Sequence, residues 1–173
     1  MKEMVRYGLI LAFICVLASS LLALVNTATK DRIIMQARAE EESSLKEVLP
    51  QAADFKPVTS QEEVLYYKGV DTSGKLVGVV FKASGKGYAG NVDTMVGMTP
   101  DGVIAAIKVI AHSETPGLGS RIAEKEFSSR FSGKPVAEIS GIQAITGATI
   151  SSRAVMASVE SKARQIKGLL GNE

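Results

Sequence analysis

The sequence predicts an α+β protein with a single N-terminal transmembrane helix and a domain of antiparallel strands flanked by helices. Three observations support this fold class. No residue from Gly8 to Val25 is charged, two strand–turn–strand patterns occupy the middle of the chain, and the tail from residue 151 to residue 170 is amphipathic. With 173 residues, the chain has room for one modest domain in addition to the apolar helix.

The apolar run is long enough to cross a membrane, since at about 1.5 Å per residue it spans roughly 27 Å. Lys2 and Arg6 precede it, which places the N-terminus in the cytoplasm, although Lys30 and Arg32 on the far side reduce the bias. A cleaved signal peptide is the alternative, but its apolar core usually has only about 7–15 residues, and no clear Ala-x-Ala cleavage site follows the apolar run of this chain. We therefore predict a single-pass anchor over residues 1–29 in the cell (inner) membrane, with the remainder extracytoplasmic.

A helical connector is predicted after the anchor, over residues 30–54. The stretch from Thr29 to Leu49 places Leu45, Val48 and Leu49 on one stripe, and Pro50 ends the helix. The extracytoplasmic domain is then predicted over residues 55–173.

Two hairpins and a final helix are predicted within this domain. The first hairpin joins strands at residues 64–70 and 76–81, and the second joins residues 91–98 to residues 103–110. In the tail, the apolar residues Val155, Val159, Ala163, Ile166 and Leu170 share one helix face.

Composition excludes several functional classes. The formal net charge is only +2, which gives no electrostatic reason for a nucleic-acid partner. Cys15 is the only cysteine, so there is no disulfide framework and no cysteine-based metal site. His112 is the only histidine and is interpreted as structural; a catalytic base is the alternative, but no Ser or Cys partner lies at a recognisable spacing. No metal site and no catalytic residue are predicted.

The segment Gly85 to Gly90 matches the pattern G-x-G-x-x-G of dinucleotide-binding loops. Such a loop requires a strand before it and a helix that begins at it, whereas residues 91–98 are typical of another strand. We therefore reject a dinucleotide-binding fold and predict a glycine-rich connection between strands, which could line a ligand site.

The loop from Glu114 to Gly119 combines a proline with two glycines. It is either a turn that leaves the second hairpin or a shaped loop that offers backbone groups to a flat polar ring. In the second interpretation Glu114 and Thr115 orient the ring, and composition does not decide between the two.

The stretch Thr146-Gly-Ala-Thr149-Ile-Ser-Ser152 places hydroxyl and small side chains at the start of the last helix. Helix starts carry free N–H groups and a partial positive charge, which attract phosphate. The local alternative is that Thr146 or Thr149 is the helix N-cap.

These segments together resemble the covalent FMN-binding subunits of ion-translocating redox complexes: the RnfG proteins of Rnf complexes and their relatives, the NqrC proteins of the sodium-translocating NADH:quinone oxidoreductase. The matching residues are Gly87-Tyr-Ala-Gly90, Glu114-Thr-Pro-Gly-Leu-Gly119 and Thr146-Gly-Ala-Thr149 with Ile150, Ser151 and Ser152. The N-terminal anchor also fits this resemblance, and the short chain favours the RnfG family.

The resemblance implies which residues bind the cofactor. Thr149 corresponds to the residue that carries FMN through a phosphoester bond. The other implied FMN-binding residues are Tyr88, Glu114, Thr115, Gly117, Leu118, Gly119, Thr146, Gly147, Ala148, Ser151 and Ser152. The loop that begins at Glu114 would lie against the isoalloxazine ring. One position differs: Gln143 stands where the attachment motif usually has Asp.

The resemblance also implies the partners and the function. The partners are the other membrane and peripheral subunits of an Rnf-type complex and, during maturation, an ApbE-type flavin transferase that uses FAD. The function is electron relay in a complex that couples electron flow between ferredoxin and NAD to sodium or proton transport. Two alternatives remain open: a stand-alone membrane-anchored flavoprotein reductase, and a cofactor-free structural subunit in which Thr149 only caps a helix.

Overall fold

The computed structural model describes residues 2–60 and 63–171. Residue 1 of the predicted anchor and residues 61–62 and 172–173 of the predicted domain therefore lie outside the described residues. The chain divides into two compact units, Met1–Glu41 and Glu42–Glu173, and each is described separately.

The first unit is helical throughout its described residues. It belongs to helix α1, which spans Lys2–Val48. Within α1, the stretch Glu3–Lys30 has 28 residues and a mean hydropathy of 2.7, and it is long and apolar enough to cross a membrane. The predicted helix after Thr29 is confirmed as a direct continuation of this apolar stretch.

The second unit is built on a five-stranded antiparallel sheet. Its strands are β1 (Asp54–Ser60), β2 (Glu63–Val70), β3 (Leu76–Lys86), β4 (Asn91–Met98) and β5 (Ile104–His112). They follow one another across the sheet in sequence order, so both predicted hairpins are confirmed. The edge strand β1 was not predicted, because Pro57 and a polar composition weaken its strand pattern.

One face of the sheet is covered by the C-terminal helix α3 (Thr149–Leu170). Its predicted apolar face is buried, and Phe81 and Val96 of the sheet lie in the same core. Between β5 and α3 the chain forms short 3₁₀ segments, Gly119–Ala123, Ser129–Phe131 and Val136–Gly141, and the one-turn helix α2 (Lys125–Ser128). Phe127 and Phe131 from this region meet edge to face, with ring centroids 5.3 Å apart, and complete the core. None of these short elements was predicted, since each is too short to show periodicity.

The opposite face of the sheet is covered by the end of α1. Leu45, Val48 and Leu49 are buried in a second cluster with Val80 and Met95. Glycines on three strands allow this close approach, as a Cβ at Gly97 of β4 would collide with the carbonyl oxygen of Val48. The compact unit therefore begins at Glu42, earlier than the predicted domain start at residue 55.

Candidate functional site

Three segments that are distant in sequence surround one cavity of about 290 Å³. They are the β3–β4 hairpin, the loop that follows β5 and the start of α3. The lining residues are Tyr88, Glu114, Thr115, Leu118, Gly119, Gly147, Ala148, Thr149, Ile150 and Ser151. The cavity therefore gathers most of the residues that the sequence nominated for cofactor binding.

Three nominated residues lie outside this lining. Thr146 is exposed in the turn before α3, and Gly117 is exposed at the tip of its loop. Ser152 is buried and accepts a hydrogen bond from the Ile145 N–H, with 3.1 Å between nitrogen and Oγ. Ser152 and Gly117 therefore shape the backbone beside the cavity and do not form part of its surface.

A tight turn precedes α3 and presents Thr149. The Ala148 N–H donates to the Ile145 carbonyl over 3.0 Å, and Gly147 between them has a φ of +86°. This left-handed conformation favours glycine, which explains the residue at position 147. Together with the bond to Ser152, the turn fixes the backbone immediately before the exposed Thr149.

The start of α3 has no side-chain cap. Ala148 occupies the N-cap position, and no side chain accepts a hydrogen bond there. The interpretation of Thr146 or Thr149 as the N-cap is therefore wrong. The first-turn N–H groups have no partner within the helix, so this end can bind an anion.

The loop after β5 packs against this turn. Its Thr115-Pro-Gly-Leu118 segment closes with a 3.3 Å bond from the Leu118 N–H to the Thr115 carbonyl. Gly117 has a φ of +75°, the conformation of the third residue of a type II turn after proline. Leu118 then reaches Gly147, where an added Cβ would lie 3.0 Å from its Cδ1.

Glu114 connects all three segments. Its side chain is buried, and Oε2 accepts a hydrogen bond from Ser151 Oγ at 2.7 Å. Oε1 accepts one from the Ala89 N–H at 3.2 Å. The carboxylate is thus bound to donors of the protein itself, a set of contacts that the sequence did not predict.

Two opposing effects determine the pKa of the Glu114 carboxyl group. Burial raises the pKa of this carboxyl group, but hydrogen bonds from Ser151 and from the Ala89 and Tyr88 N–H groups, with the nearby His112, lower it. The net effect is a pKa below the ordinary value of a glutamate. The site therefore contains a buried, ionised carboxylate at neutral pH.

Two further sequence interpretations can be compared with the structure. His112 Nδ1 accepts a hydrogen bond from the Glu114 N–H at 3.3 Å, a contact that agrees with a structural role. The glycine pattern from Gly85 to Gly90 ends β3 and leads directly into β4, with no helix after it. A Cβ at Gly85 would lie 2.5 Å from the Ala154 carbonyl oxygen of α3, and one at Gly87 would collide with Glu114 Oε1. These glycines therefore serve close packing around the site.

Ile150 and Arg153 were not nominated from the sequence. Ile150 lines the cavity and is 56% exposed, and with Tyr88 (74%) and Leu118 (50%) it forms an apolar rim. Arg153 is exposed and lies one turn after Thr149 on the same side of α3. The sequence could have pointed to Ile150, because it is a large apolar residue that lies outside the apolar stripe of α3.

The fold and the cavity define a class: an α+β domain on an apolar helix, with a cavity at a helix start that suits a flat cofactor bearing a phosphate. The family model of the FMN-binding domain matches residues 87–163, which contain all of the residues that line the cavity. The model of the RnfG N-terminal region matches residues 1–48, which contain α1 and its apolar stretch.

Curated relatives agree with these matches. The chain is 40% identical over 174 residues to the G subunit of the ion-translocating oxidoreductase complex of Methanosarcina acetivorans, covering 92% of this chain and 93% of that protein. It is 35% identical to the G subunit of the Na(+)-translocating ferredoxin:NAD(+) oxidoreductase complex of Acetobacterium woodii, with 91% and 89% covered. The chain therefore belongs to the RnfG family of Rnf complex subunits, and the apolar stretch of α1 is long and apolar enough to anchor it in a membrane.

Solved structures show the same fold. Shewanella oneidensis NqrC matches with a TM-score of 0.51 at 22% identity, over 70% of this chain and 74% of that one. The C subunit of the Na(+)-translocating NADH-quinone reductase from Parabacteroides distasonis matches with a TM-score of 0.50 at 21% identity, over 59% and 60%. At these identities the likeness concerns the fold, and it confirms the predicted α+β class.

Proposed function

We propose that this chain is the electron-relay subunit of an Rnf-type ion-translocating complex and carries FMN joined to Thr149 by a phosphoester bond. The observation that carries the proposal is the position of Thr149. This residue is exposed, occupies the first position of an uncapped helix and lines the cavity that three separate segments form. Its hydroxyl is therefore open to modification at a place that can bind the resulting phosphodiester.

The charges around Thr149 favour a phosphodiester. The free N–H groups and the dipole of α3 stabilise an anion at the helix start by about 0.3–1 kcal/mol at an exposed site. Arg153, which makes no ion pair among the described contacts, lies where a side chain four residues along a helix can reach the modified residue. Gly147 and Ala148 leave space for the ribityl chain beside the hydroxyl.

The apolar rim favours a flat aromatic ring. Tyr88, Leu118 and Ile150 expose apolar surface at the mouth of a cavity that is small for a whole cofactor, since ligand pockets usually have about 300–1,000 Å³. A ring bound there would keep one edge exposed, which suits electron exchange with other subunits. The isoalloxazine ring supplies one- or two-electron transfer when bound, and the protein contributes orientation and electrostatics.

The structure gives less support to the two alternative functions. A purely structural role for Thr149 as a helix cap has no basis, because Ala148 holds the N-cap position. A stand-alone reductase would also have to bind a substrate of its own beside the flavin. Glu114 is the one carboxylate among the described lining residues, and it is already bound to Ser151 and Ala89.

The proposed partners are inferred from the complexes to which similar proteins belong. Proteins similar to this chain over most of its length are subunits of ion-translocating oxidoreductase complexes. We infer that this chain assembles with the other subunits of such a complex and receives FMN from an ApbE-type transferase. Lys2 and Arg6 before the anchor favour an extracytoplasmic position for the domain.

The test uses the full-length chain co-expressed with a flavin transferase. We expect the intact mass to exceed the polypeptide mass by one FMN residue, and the denatured band to fluoresce. Thr149→Val should lose both signals, whereas Thr149→Ser should retain part of them because it preserves a hydroxyl. Thr72→Val is the matched control, because it removes a threonine hydroxyl from the exposed turn between β2 and β3, and it should keep the flavin. Covalent flavin in the Thr149→Val protein would refute the proposal.

A further inference from the structure

The carboxylate of Glu114 is a fixed negative charge in the wall of the cavity. The side chain is only 5% exposed, yet it belongs to the cavity lining. Its hydrogen-bond partners are neutral donors: the Ser151 hydroxyl and the N–H groups of the hairpin at Tyr88 and Ala89. These donors stabilise the charge without cancelling it.

Two glycines hold this carboxylate in place. Gly87 lies so close that an added Cβ would collide with Oε1, and a Cβ at Gly119 would lie 2.6 Å from Oε2. The carboxylate therefore fills a slot between two backbone segments, with a donor at each oxygen. Rotation toward solvent would break both bonds and leave buried donors unpaired, which is costly. The negative charge therefore keeps one position relative to the cavity.

We propose that Glu114 lowers the reduction potential of the flavin held in this cavity, an inference that rests on the proposed function. Two-electron reduction of isoalloxazine with uptake of one proton leaves one additional negative charge on the ring. A fixed anion in the cavity wall repels the reduced ring, which carries this added charge, more than it repels the oxidised ring, which lacks it. The repulsion is strong because water screens charges weakly at a buried site. Glu114 thus lowers the electron affinity of the flavin through its charge and is not itself oxidised or reduced.

Glu114→Gln removes the charge and preserves the shape. The amide oxygen can accept the hydrogen bond from Ala89, and the amide nitrogen can donate to Ser151 Oγ, so the connections between segments persist. We expect the ratio of oxidised to reduced flavin at a fixed electrode potential to fall at least tenfold. For a two-electron couple this corresponds to an upward shift of about 30 mV.

Two further variants test the electrostatic explanation. Ser151→Ala keeps the carboxylate but removes one donor that stabilises it, so the potential should shift downward. Glu160→Gln is the matched control, because it also removes one carboxylate charge. Glu160 lies on α3, about 16 Å from Thr149 along the helix axis. Its potential should equal that of the unaltered protein.

The measurement is a redox titration of each full-length, flavin-loaded protein in detergent, followed by visible absorbance. Covalent flavin is quantified first, and its absence from the unaltered protein would refute the proposed function instead of this inference. With flavin present, equal potentials for Glu114→Gln and Glu160→Gln would overturn the inference. If Glu114→Gln does not fold, Ser151→Ala decides, and an unchanged or higher potential in that variant would overturn the inference.

Discussion

Gly87→Ala should disrupt the site through one added methyl group. The new Cβ would collide with Glu114 Oε1 and would lie 3.0 Å from Val92 Cγ2. Glu114 is the neighbour that can move, but moving it breaks the bonds that its carboxylate makes with Ala89 and Ser151. The substitution therefore acts on the connection between the hairpin, the loop and the start of α3.

The magnitude follows from those two bonds. Hydrogen bonds to charged groups contribute about 1.5–3 kcal/mol each, and partial relaxation recovers some of this. We expect Gly87→Ala to lower the free energy of unfolding by about 2–4 kcal/mol. Gly141→Ala is the control and should cause no loss, because open space surrounds the position and its φ is not positive.

A double-mutant cycle with Glu114→Ala identifies the cause. In that background the carboxylate is absent, so Gly87→Ala should cost less than about 1 kcal/mol, giving a coupling energy of the size seen for residues in contact. Denaturant unfolding of the four full-length proteins in detergent, followed by near-ultraviolet circular dichroism, gives the free energies. Additive effects of the two substitutions would refute the reasoning, because the clash with Glu114 would then contribute nothing.

Two other predictions concern the core and the topology. Thr94 Oγ1 is buried without a hydrogen-bond partner among the described residues, so Thr94→Val should leave the free energy of unfolding unchanged or raise it by up to about 1 kcal/mol. The reverse change, Val92→Thr at a buried position, should lower the free energy of unfolding by about 1–3 kcal/mol. Equal effects of Thr94→Val and Val92→Thr on this free energy would contradict the argument. A reporter active only outside the cytoplasm, fused after residue 173, should be active. Protection of the domain from protease added to spheroplasts would place it inside the cell instead.

The sequence predicted the parts of this protein that have strong local patterns. The apolar run, both hairpins and the apolar face of α3 follow from periodicities that extend over many residues. The three segments of the site were also nominated from sequence, because their glycines, proline and hydroxyl residues are unusual in combination. Edge strand β1 and the short elements between β5 and α3 were missed, because their patterns are brief or interrupted.

A local pattern cannot identify the partner of a side chain. Thr146 and Thr149 were helix caps only in the local alternative, which is wrong because the N-cap is Ala148. The sequence left open whether Glu114 orients a ring, and it did not reveal that the oxygens of this residue accept bonds from Ser151 and from Ala89. Those donors are 37 and 25 residues away along the chain, and only tertiary structure brings them together.

By itself the sequence therefore determined the apolar helix, both hairpins, the apolar face of α3 and the candidate attachment residue. Helices, hairpins and apolar runs are determined largely by neighbouring residues. The tertiary structure decided how the end of α1 covers the sheet and why Gly87 and Gly119 flank Glu114. It also decided which side chains border the cavity. These features depend on close packing between segments far apart in the chain, where a single methyl group determines whether two backbones can meet.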